Sequence, residues 1–197
     1  MKKSIVITLA ALWLGVSAGF AEAPSLLIGK DLLNGGFEAA TLKPWFGQSD
    51  APGPSLESDP ALVKEGKQSV HIQLNGSANR RVTARLFQNV NKVNPASGNH
   101  FVVKFDVAAV KGRPIPAIVG ELVLFEDGAV MKTLPLRGGK PEGTDWQTLE
   151  LSAADEIPVE WKGGQLQVRL VFVVDRGADG TAHELLLDNV ELVQSRL

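Results

Sequence analysis

The feature that most constrains the fold is a series of short stretches in which apolar and polar residues alternate. In residues 101–109, Phe101, Val103, Phe105 and Val107 share one side of an extended chain. A period of two is typical of a β-strand with one buried face. Comparable stretches recur along the chain, and each is closed by Gly, Asn, Asp or Pro, residues that favour turns. The pattern therefore predicts an all-β fold.

Eight strands are predicted from this pattern. They cover residues 69–74, 82–90, 101–110, 119–125, 129–134, 146–151, 165–174 and 183–193. A helical pattern of more than a turn or two is absent from the sequence, except near 152–156, and strands do not alternate with helices. We therefore expect a two-sheet antiparallel β-sandwich, and a jelly roll accommodates eight strands well. The proline-rich residues 44–60 are expected to form a long surface loop.

Two predicted strands carry polar side chains opposite their apolar sets. Arg81, Arg85 and Phe87 alternate with apolar residues on one strand, and Gln167 and Arg169 do so on another. The apolar sets are assigned to the core, since only one face of each strand is buried. The polar sets suit either a solvated sheet face or a groove for a polar ligand.

The first 21 residues have the order of a secretory signal peptide. Two lysines are followed by the apolar stretch 5–16 and by the small-residue exit 19–23. The apolar stretch is shorter than the roughly 18 residues that cross a bilayer, and no other segment approaches that length. We expect 1–21 to be removed, with the cut uncertain by about two residues, which leaves a single β-sandwich domain at 24–197. The protein is then exported, to the periplasm or the extracellular space, without a membrane span.

Composition excludes several classes of function. With 20 basic and 22 acidic residues, a net charge of −2 makes nucleic acid a poor candidate partner. The absence of cysteine from the sequence removes disulfides, thiolate metal sites and a cysteine nucleophile. The sequence contains no nucleophile elbow, phosphate-binding loop or paired histidine motif. We therefore predict that the protein is not an enzyme.

Three groups of segments, in order along the chain, resemble one known family. They are 32–38 with Trp45, then 66–72, 86–90 and 101–107, then 146–149 and 186–192. The first reads LLNGGFE and the last LLDNVEL, and together with the middle strands they resemble carbohydrate-binding modules of the family 4, 9 and 22 group. The resemblance implies a galactose-binding-like β-sandwich jelly roll that binds carbohydrate without cleaving it.

The resemblance also implies a structural calcium ion, held away from the sugar site where the first and last strands meet. Glu38 and Asp188 match its carboxylate ligands, and the carbonyl of Lys67 is a weaker candidate. Carboxylate and carbonyl oxygens are the ligands that Ca²⁺ prefers. The Gly35–Gly36 pair permits a positive φ and a close backbone approach. Alternatively, Glu38 and Asp188 are edge-strand charges that make local hydrogen bonds.

Candidate sugar-binding residues combine aromatic and polar side chains, because sugar rings stack on aromatic faces and their hydroxyls need polar partners. Trp161 lies in a polar, glycine-bounded loop and is expected to be exposed, unless it plugs the end of the sandwich. Phe87, on the polar side of its strand, is the second candidate platform. The polar candidates for the groove are Arg81, Arg85, Lys104, Asp106, Gln167 and Arg169.

The expected function is that of a secreted, non-catalytic carbohydrate-binding module that recognises a polysaccharide or oligosaccharide. The alternative is an envelope or extracellular interaction protein that presents the same jelly-roll face to another protein. A third hypothesis is a small hydrolase that uses Glu121, Glu126 or Asp127. Retention on glycans, capture of a protein partner and turnover, respectively, distinguish the three.

Overall fold

A computed structural model of the chain describes residues 32–50, 52–95 and 99–195. The expected signal peptide at 1–21 lies outside the described residues. Within the described ranges, none of the helical structure is long and apolar enough to cross a membrane.

The described chain contains ten strands and one turn of 3-10 helix. The strands are β1 (Phe46–Ser49), β2 (Ser55–Glu57), β3 (Ser69–Asn75), β4 (Val82–Val93), β5 (His100–Ala109), β6 (Ala117–Glu126), β7 (Ala129–Gly138), β8 (Gln147–Ala153), β9 (Gly164–Val174) and β10 (Ala182–Ser195). The 3-10 turn, Pro60–Leu62, begins at Asp59, whose carboxylate accepts a hydrogen bond from the Ala61 amide. All eight predicted strands are confirmed as β3 to β10, with ends that differ by a few residues.

Two expectations about local structure are wrong. The short strands β1 and β2 lie inside residues 44–60, which were expected to be a loop. The possible helix at 152–156 is also wrong, because Ser152 and Ala153 continue β8.

The ten strands form one hydrogen-bonded antiparallel sheet that folds over into two layers. Its strand order is β1-β4-β9-β6-β7-β8-β5-β10-β3-β2. Pairing between β7 and β8 is confined to three residue pairs, from Leu136–Ala153 to Gly138–Leu151. Layer A (β1-β4-β9-β6-β7) and layer B (β8-β5-β10-β3-β2) share one hydrophobic core. The predicted two-layer antiparallel sandwich is therefore confirmed.

Alternation along the strands supplies the core from both layers. The inward residues of β5 in layer B are Phe101, Val103, Phe105 and Val107, and those of β9 in layer A are Leu166, Val168, Leu170, Phe172 and Val174. Each is nearly inaccessible to solvent. Burial of a side chain of this size stabilises the fold by about 1.5–3 kcal/mol, so the inward residues of these two strands contribute substantially to the stability of the core.

The segment before β1 is held against layer A by a buried amide. Gln88 of β4 points inward, where its Nε2 donates to the Leu33 carbonyl and its Oε1 accepts from the Leu33 amide, both at 2.9 Å. Trp45 is buried beside Phe37, with ring centroids 5.9 Å apart. These contacts fix the start of β1 and so position the residue that follows Trp45.

The Gly35–Gly36 pair allows a close approach rather than a left-handed turn. A Cβ at Gly35 would lie 2.3 Å from the Val190 carbonyl oxygen. The positive φ angles fall instead on Asn34 (55°) and Phe37 (54°). The expected close backbone contact is therefore present, whereas the expected positive φ at the glycines is wrong.

Candidate functional site

The outer face of layer A brings together side chains from four strands. The register places Phe46 of β1 opposite Phe87 of β4, Phe87 opposite Arg169 of β9, and Arg169 opposite Glu121 of β6. Partner positions on neighbouring strands point to the same side of a sheet. The four side chains therefore form one row across the outer face, which we call the aromatic–arginine row.

The two phenylalanines of this row are stacked. Their ring centroids are 5.5 Å apart, and the ring planes are inclined by 18°. Phe46 is 49% exposed even though it is large and apolar. An exposed aromatic face can pack against the apolar face of a sugar ring. Phe46 was not among the predicted site residues, because its strand lies in the proline-rich segment that was expected to be a loop.

A chain of polar contacts continues from the phenylalanines across the sheet. Gln167 donates through Nε2 to Asn89 Oδ1 at 2.7 Å, and Arg169 Nε donates to Gln167 Oε1. Arg169 also forms an ion pair with Glu121, with 3.5 Å between Nη1 and Oε2. Linked hydrogen bonds of this kind restrain each other's geometry. The face therefore presents ordered amide and guanidinium groups beside an aromatic surface.

Arg85 extends from β4 on the same face, two residues before Phe87. It lies opposite Gln48 of β1 and Val171 of β9. Beside it is a shallow cavity of about 190 Å³, lined by Gln48, Ser49, Asp50, Thr83 and Arg85. The cavity adjoins the aromatic–arginine row, so the two features form one continuous surface.

The negative charge of Asp50 in this cavity is already paired within the protein. Its Oδ2 accepts the Thr83 amide at 2.8 Å, and its Oδ1 lies 3.2 Å from Arg80 Nη1. The Thr83 hydrogen bond, and then the Arg80 contact, hold the pKa of Asp50 below its ordinary value, although partial burial opposes them. The carboxylate thus serves to fasten β1 to β4.

Five of the predicted carbohydrate-binding residues lie on the outer face of layer A. They are Arg81, Arg85, Phe87, Gln167 and Arg169. Arg81 stands at the edge of this group, just before β4, and pairs with Asp175 at 3.5 Å. The register between β4 and β9 brings these side chains together.

The expected exposure of Trp161 is wrong. The indole is 1% exposed and packs edge-on against Phe101, with ring centroids 6.0 Å apart. Its Nε1 donates to the Phe125 carbonyl at 3.0 Å, which satisfies its polar atom. Trp161 therefore plugs one end of the sandwich and offers no ring face to a ligand.

The placement of Asp106 in the same groove is also wrong, because β5 belongs to layer B. Asp106 accepts hydrogen bonds from Thr148 Oγ1 at 2.6 Å and from Asn189 Nδ2 at 2.9 Å. Lys104, on the same strand, pairs with Glu150 of β8. These residues lie on the opposite layer of the molecule from Phe87.

A larger cavity, of about 400 Å³, opens at the end of the sandwich above Trp161. It is lined by Asn94, Pro95, Ile157, Pro158, Val159, Trp161 and Lys162. Its charged lining residue, Lys162, already donates to the Val159 carbonyl at 2.8 Å. With few free polar groups, this cavity is a poorer candidate for binding a polyhydroxylated ligand than the outer face of layer A.

The three predicted metal ligands meet around the loop at residues 65–68. Both carboxylate oxygens of Glu38 accept the Lys67 amide, at 2.9 and 3.1 Å. Asp188 is fully buried, and its oxygens accept the amides of Glu65 at 3.3 Å and Asn189 at 2.8 Å. The loop therefore joins the N-terminal segment to the last strand. Glu38 and Asp188 were predicted to lie near each other, and both contact this loop. Lys67 was predicted to contribute its carbonyl, whereas the contact seen is from its amide to Glu38.

The electrostatics of this cluster fit a hard cation. Burial raises the pKa of Asp188 to about 6, and the charges of Asp106 and Glu38 add to the shift, while the two amide hydrogen bonds oppose it. A divalent cation would offset this excess of negative charge, and carboxylates are suitable ligands. Among the described residues, however, three or more Asp, Glu, His or Cys side chains nowhere converge as a ligand set. A bound Ca²⁺ would therefore also need backbone carbonyls, of which Lys67 remains a predicted contributor.

No protein-family model matches the chain, and no curated protein matches its sequence significantly. Solved structures do share its fold. TmCBM61, determined in complex with β-1,4-galactotriose, is 17% identical with a TM-score of 0.50, over 82% of this chain and 96% of its own. The CBM22-1 xylan-binding domain of Paenibacillus barcinonensis Xyn10C is 15% identical with a TM-score of 0.51, over 82% of this chain and 92% of its own.

An enzyme with the same fold is also similar. A cyclase from Fischerella sp. TAU is 14% identical with a TM-score of 0.56, over 83% of this chain and 95% of its own. At these identities, the likenesses show the fold alone. The chain therefore has a β-sandwich fold that it shares with carbohydrate-binding modules and with this cyclase, and the predicted β-sandwich is confirmed.

Proposed function

We propose that this protein is a non-catalytic carbohydrate-binding module that holds a polysaccharide on the outer face of layer A. The observation that carries the proposal is the exposed Phe46–Phe87 stack beside the ordered chain of Asn89, Gln167 and Arg169. An aromatic surface with a few fixed polar groups is the combination that carbohydrate recognition requires.

The size of the face favours a chain of sugars over a single sugar. The aromatic–arginine row crosses β1, β4, β9 and β6, which are consecutive neighbours in the sheet. Adjacent strands are about 4.8 Å apart, so the row is roughly 14 Å long. The surface is open, which lets a long polymer pass across it. TmCBM61 and the CBM22-1 xylan-binding domain share the fold.

Binding without cleavage is proposed because the row carries a single carboxylate. Glycoside hydrolysis generally needs two carboxyl groups, roughly 5 to 9.5 Å apart, on either side of the bond. Glu121 is the acidic member of the row, and Arg169 holds it in an ion pair. A second carboxylate at that separation from Glu121 is not part of the row, so the row lacks the acid–base pair that hydrolysis needs.

Export and a structural Ca²⁺ complete the proposal. The order of charged, apolar and small residues at 1–21 supports export, to the periplasm or the extracellular space. The Glu38–Asp188 cluster lies between the N-terminal segment and β10, so a bound ion would fasten the two ends of the domain. Mass spectrometry of the protein recovered from outside the cytoplasm tests whether residues 1–21 are removed.

The binding test is affinity electrophoresis of the protein through gels that contain β-glucan, xylan, mannan or galactan. We expect retardation in at least one gel and a loss of about tenfold or more in affinity for Phe87→Ala, since stacking on one aromatic contributes about 1 kcal/mol beyond area burial. Val159→Ala is the matched control, because Val159 is also an exposed apolar residue, at 67%, but lies outside this face.

Failure of the folded protein to bind any polysaccharide, acidic ones included, would overturn the proposal. Capture of a specific protein partner through Phe46 and Phe87 would then identify an interaction protein. Release of reducing sugars from a bound polymer would contradict the non-catalytic part alone.

A further inference from the structure

We propose that Arg85 makes the outer face of layer A selective for acidic polysaccharides, whose carboxylate or sulfate groups it binds. This inference rests on the proposed function, since it specifies the chemical class of the ligand at the same face. The observations behind it are the charge pairing of the neighbouring arginines, the exposure of Arg85 and its position beside the phenylalanine stack.

Most arginines near this face are already paired with a carboxylate of the protein. Those carried by β4, by the turn before it and by β9 are Arg80, Arg81, Arg85 and Arg169. Three of the four face a carboxylate, namely Arg80 with Asp50 at 3.2 Å, Arg81 with Asp175 at 3.5 Å, and Arg169 with Glu121 at 3.5 Å. Arg169 also donates to Gln167. These guanidinium groups are therefore engaged within the protein.

Arg85 is the exception among these four. Its side chain is exposed, and within the described part of the chain it makes no ion pair with a carboxylate. The residues opposite it, Gln48 and Val171, carry no charge. A guanidinium offers five N–H donors in a planar fork that matches a carboxylate or sulfate. Arg85 thus leaves one uncompensated positive charge on the face.

The position of this charge suits an acidic sugar. Arg85 and Phe87 are two residues apart on β4 and point to the same side, so their Cα atoms are separated by about 7 Å. A sugar ring stacked on the phenylalanines would therefore bring an anionic substituent within reach of the guanidinium. Asp50 lies in the same cavity, but its oxygens are engaged by Thr83 and Arg80. Arg85 is then the group left to bind the anion.

The experiment measures affinity for matched acidic and neutral polymers. Polygalacturonate and alginate are compared with their methyl esters, and carrageenan is compared with its desulfated form, so that carboxylate and sulfate are tested separately. We expect about tenfold or tighter binding of at least one acidic polymer, as a charge-assisted hydrogen bond contributes that much. We also expect Arg85→Gln to abolish the preference, so that the acidic and neutral forms of a polymer bind with equal affinity, and Arg85→Lys to retain part of the preference.

The matched control is Arg176→Gln, which removes the same charge from an exposed loop beyond the end of β9. An acidic preference that both variants lose equally would show simple ion exchange and overturn the inference. Equal affinity for acidic and neutral polymers would overturn it as well, while the proposed function would stand. Absence of binding to every polymer, neutral ones included, would instead remove the proposed function itself.

Discussion

At the scale of single residues, Asp188 is the group at which burial and charge conflict most directly. It is fully buried, and burial together with the charges of Asp106 and Glu38 raises the pKa of its carboxyl to about 6. Amides of Asn189 and Glu65 stabilise the charged form without cancelling the shift. A carboxyl in this position costs stability when it ionises, unless a cation accompanies it.

This conflict predicts a pH dependence of stability. In the folded state the Asp188 carboxyl keeps its proton up to its pKa of about 6, whereas in the unfolded chain it loses the proton near its ordinary pKa of 3.8. The folded state binds more protons between these values, so the free energy of unfolding falls as the pH rises from about 4 to about 6, by about 3 kcal/mol at most. The contribution is complete below the unfolded pKa and is lost above the folded one.

The measurement is urea unfolding at several pH values between 4 and 7 in the presence of a chelator. Asp188→Asn, which cannot ionise, is expected to show a shallower fall over this range. The lowered pKa of Asp50 affects stability in the opposite direction and at lower pH, and it does so in both proteins. Parallel pH profiles for the two proteins would contradict the assigned pKa.

The calcium proposal makes a second prediction at the same residues. A ligand that binds only the folded state raises the unfolding free energy, by about 2.7 kcal/mol at a hundred times its dissociation constant. We expect millimolar Ca²⁺ to raise the melting temperature at pH 7, and Asp188→Ala and Glu38→Gln each to abolish the rise. Glu126→Gln, at an exposed hairpin residue, is the control. A rise that survives both substitutions would place any ion elsewhere.

At the scale of elements, a strand is predictable from the sequence where it is long enough for apolar and polar residues to alternate. The eight predicted strands each have a buried face long enough to show a period of two. The strands that were missed, β1 and β2, contain four and three residues at the two edges of the sheet. Segments this short carry too few alternating positions, and their strand conformation comes from pairing with β4 and β3. Phe46 was overlooked for this reason.

The fold-over between β7 and β8 predicts a sharp difference between two adjacent glycines. A Cβ at Gly138 would lie 2.1 Å from the Glu150 carbonyl oxygen, whereas one at Gly139 would meet nothing within 4 Å. Neither residue has a positive φ, so the two substitutions differ in space alone. We expect Gly138→Ala to destabilise the protein by about 1–3 kcal/mol and Gly139→Ala to be nearly neutral, as measured by thermal or urea unfolding. Equal effects would show that the strands can separate here without cost.

At the scale of the whole molecule, the sequence predicts which side of a strand is polar but not which strands are neighbours. Alternation on β4 and β9 predicted that Arg85 and Phe87 share a side, as do Gln167 and Arg169. Only the sheet order brings these strands together and separates them from Asp106, which β5 carries on the other layer. The orientation of Trp161 likewise depends on how its loop closes over the sandwich end.

The two-layer architecture also predicts that binding and stability can be altered separately on one strand. Leu86 and Phe87 are adjacent on β4, but Leu86 is fully buried in the core and Phe87 lies on the outer face against Phe46. We expect Leu86→Ala to destabilise the protein by about 2–5 kcal/mol while the folded fraction binds polysaccharide with nearly unchanged affinity. Phe87→Ala should abolish most binding and cost only about 0.5–1.5 kcal/mol of stability.

Urea unfolding and affinity electrophoresis on the same preparations, well below the melting temperature, provide both measurements. The separation is expected because the structure around a truncated core residue relaxes only partially, so that Leu86→Ala leaves a cavity in the core and the outer face keeps its shape. If Leu86→Ala weakens binding by the folded protein as strongly as Phe87→Ala does, the outer face depends on the core packing beneath it. The ligand surface would then be a property of the whole sandwich rather than of the row of side chains that faces solvent.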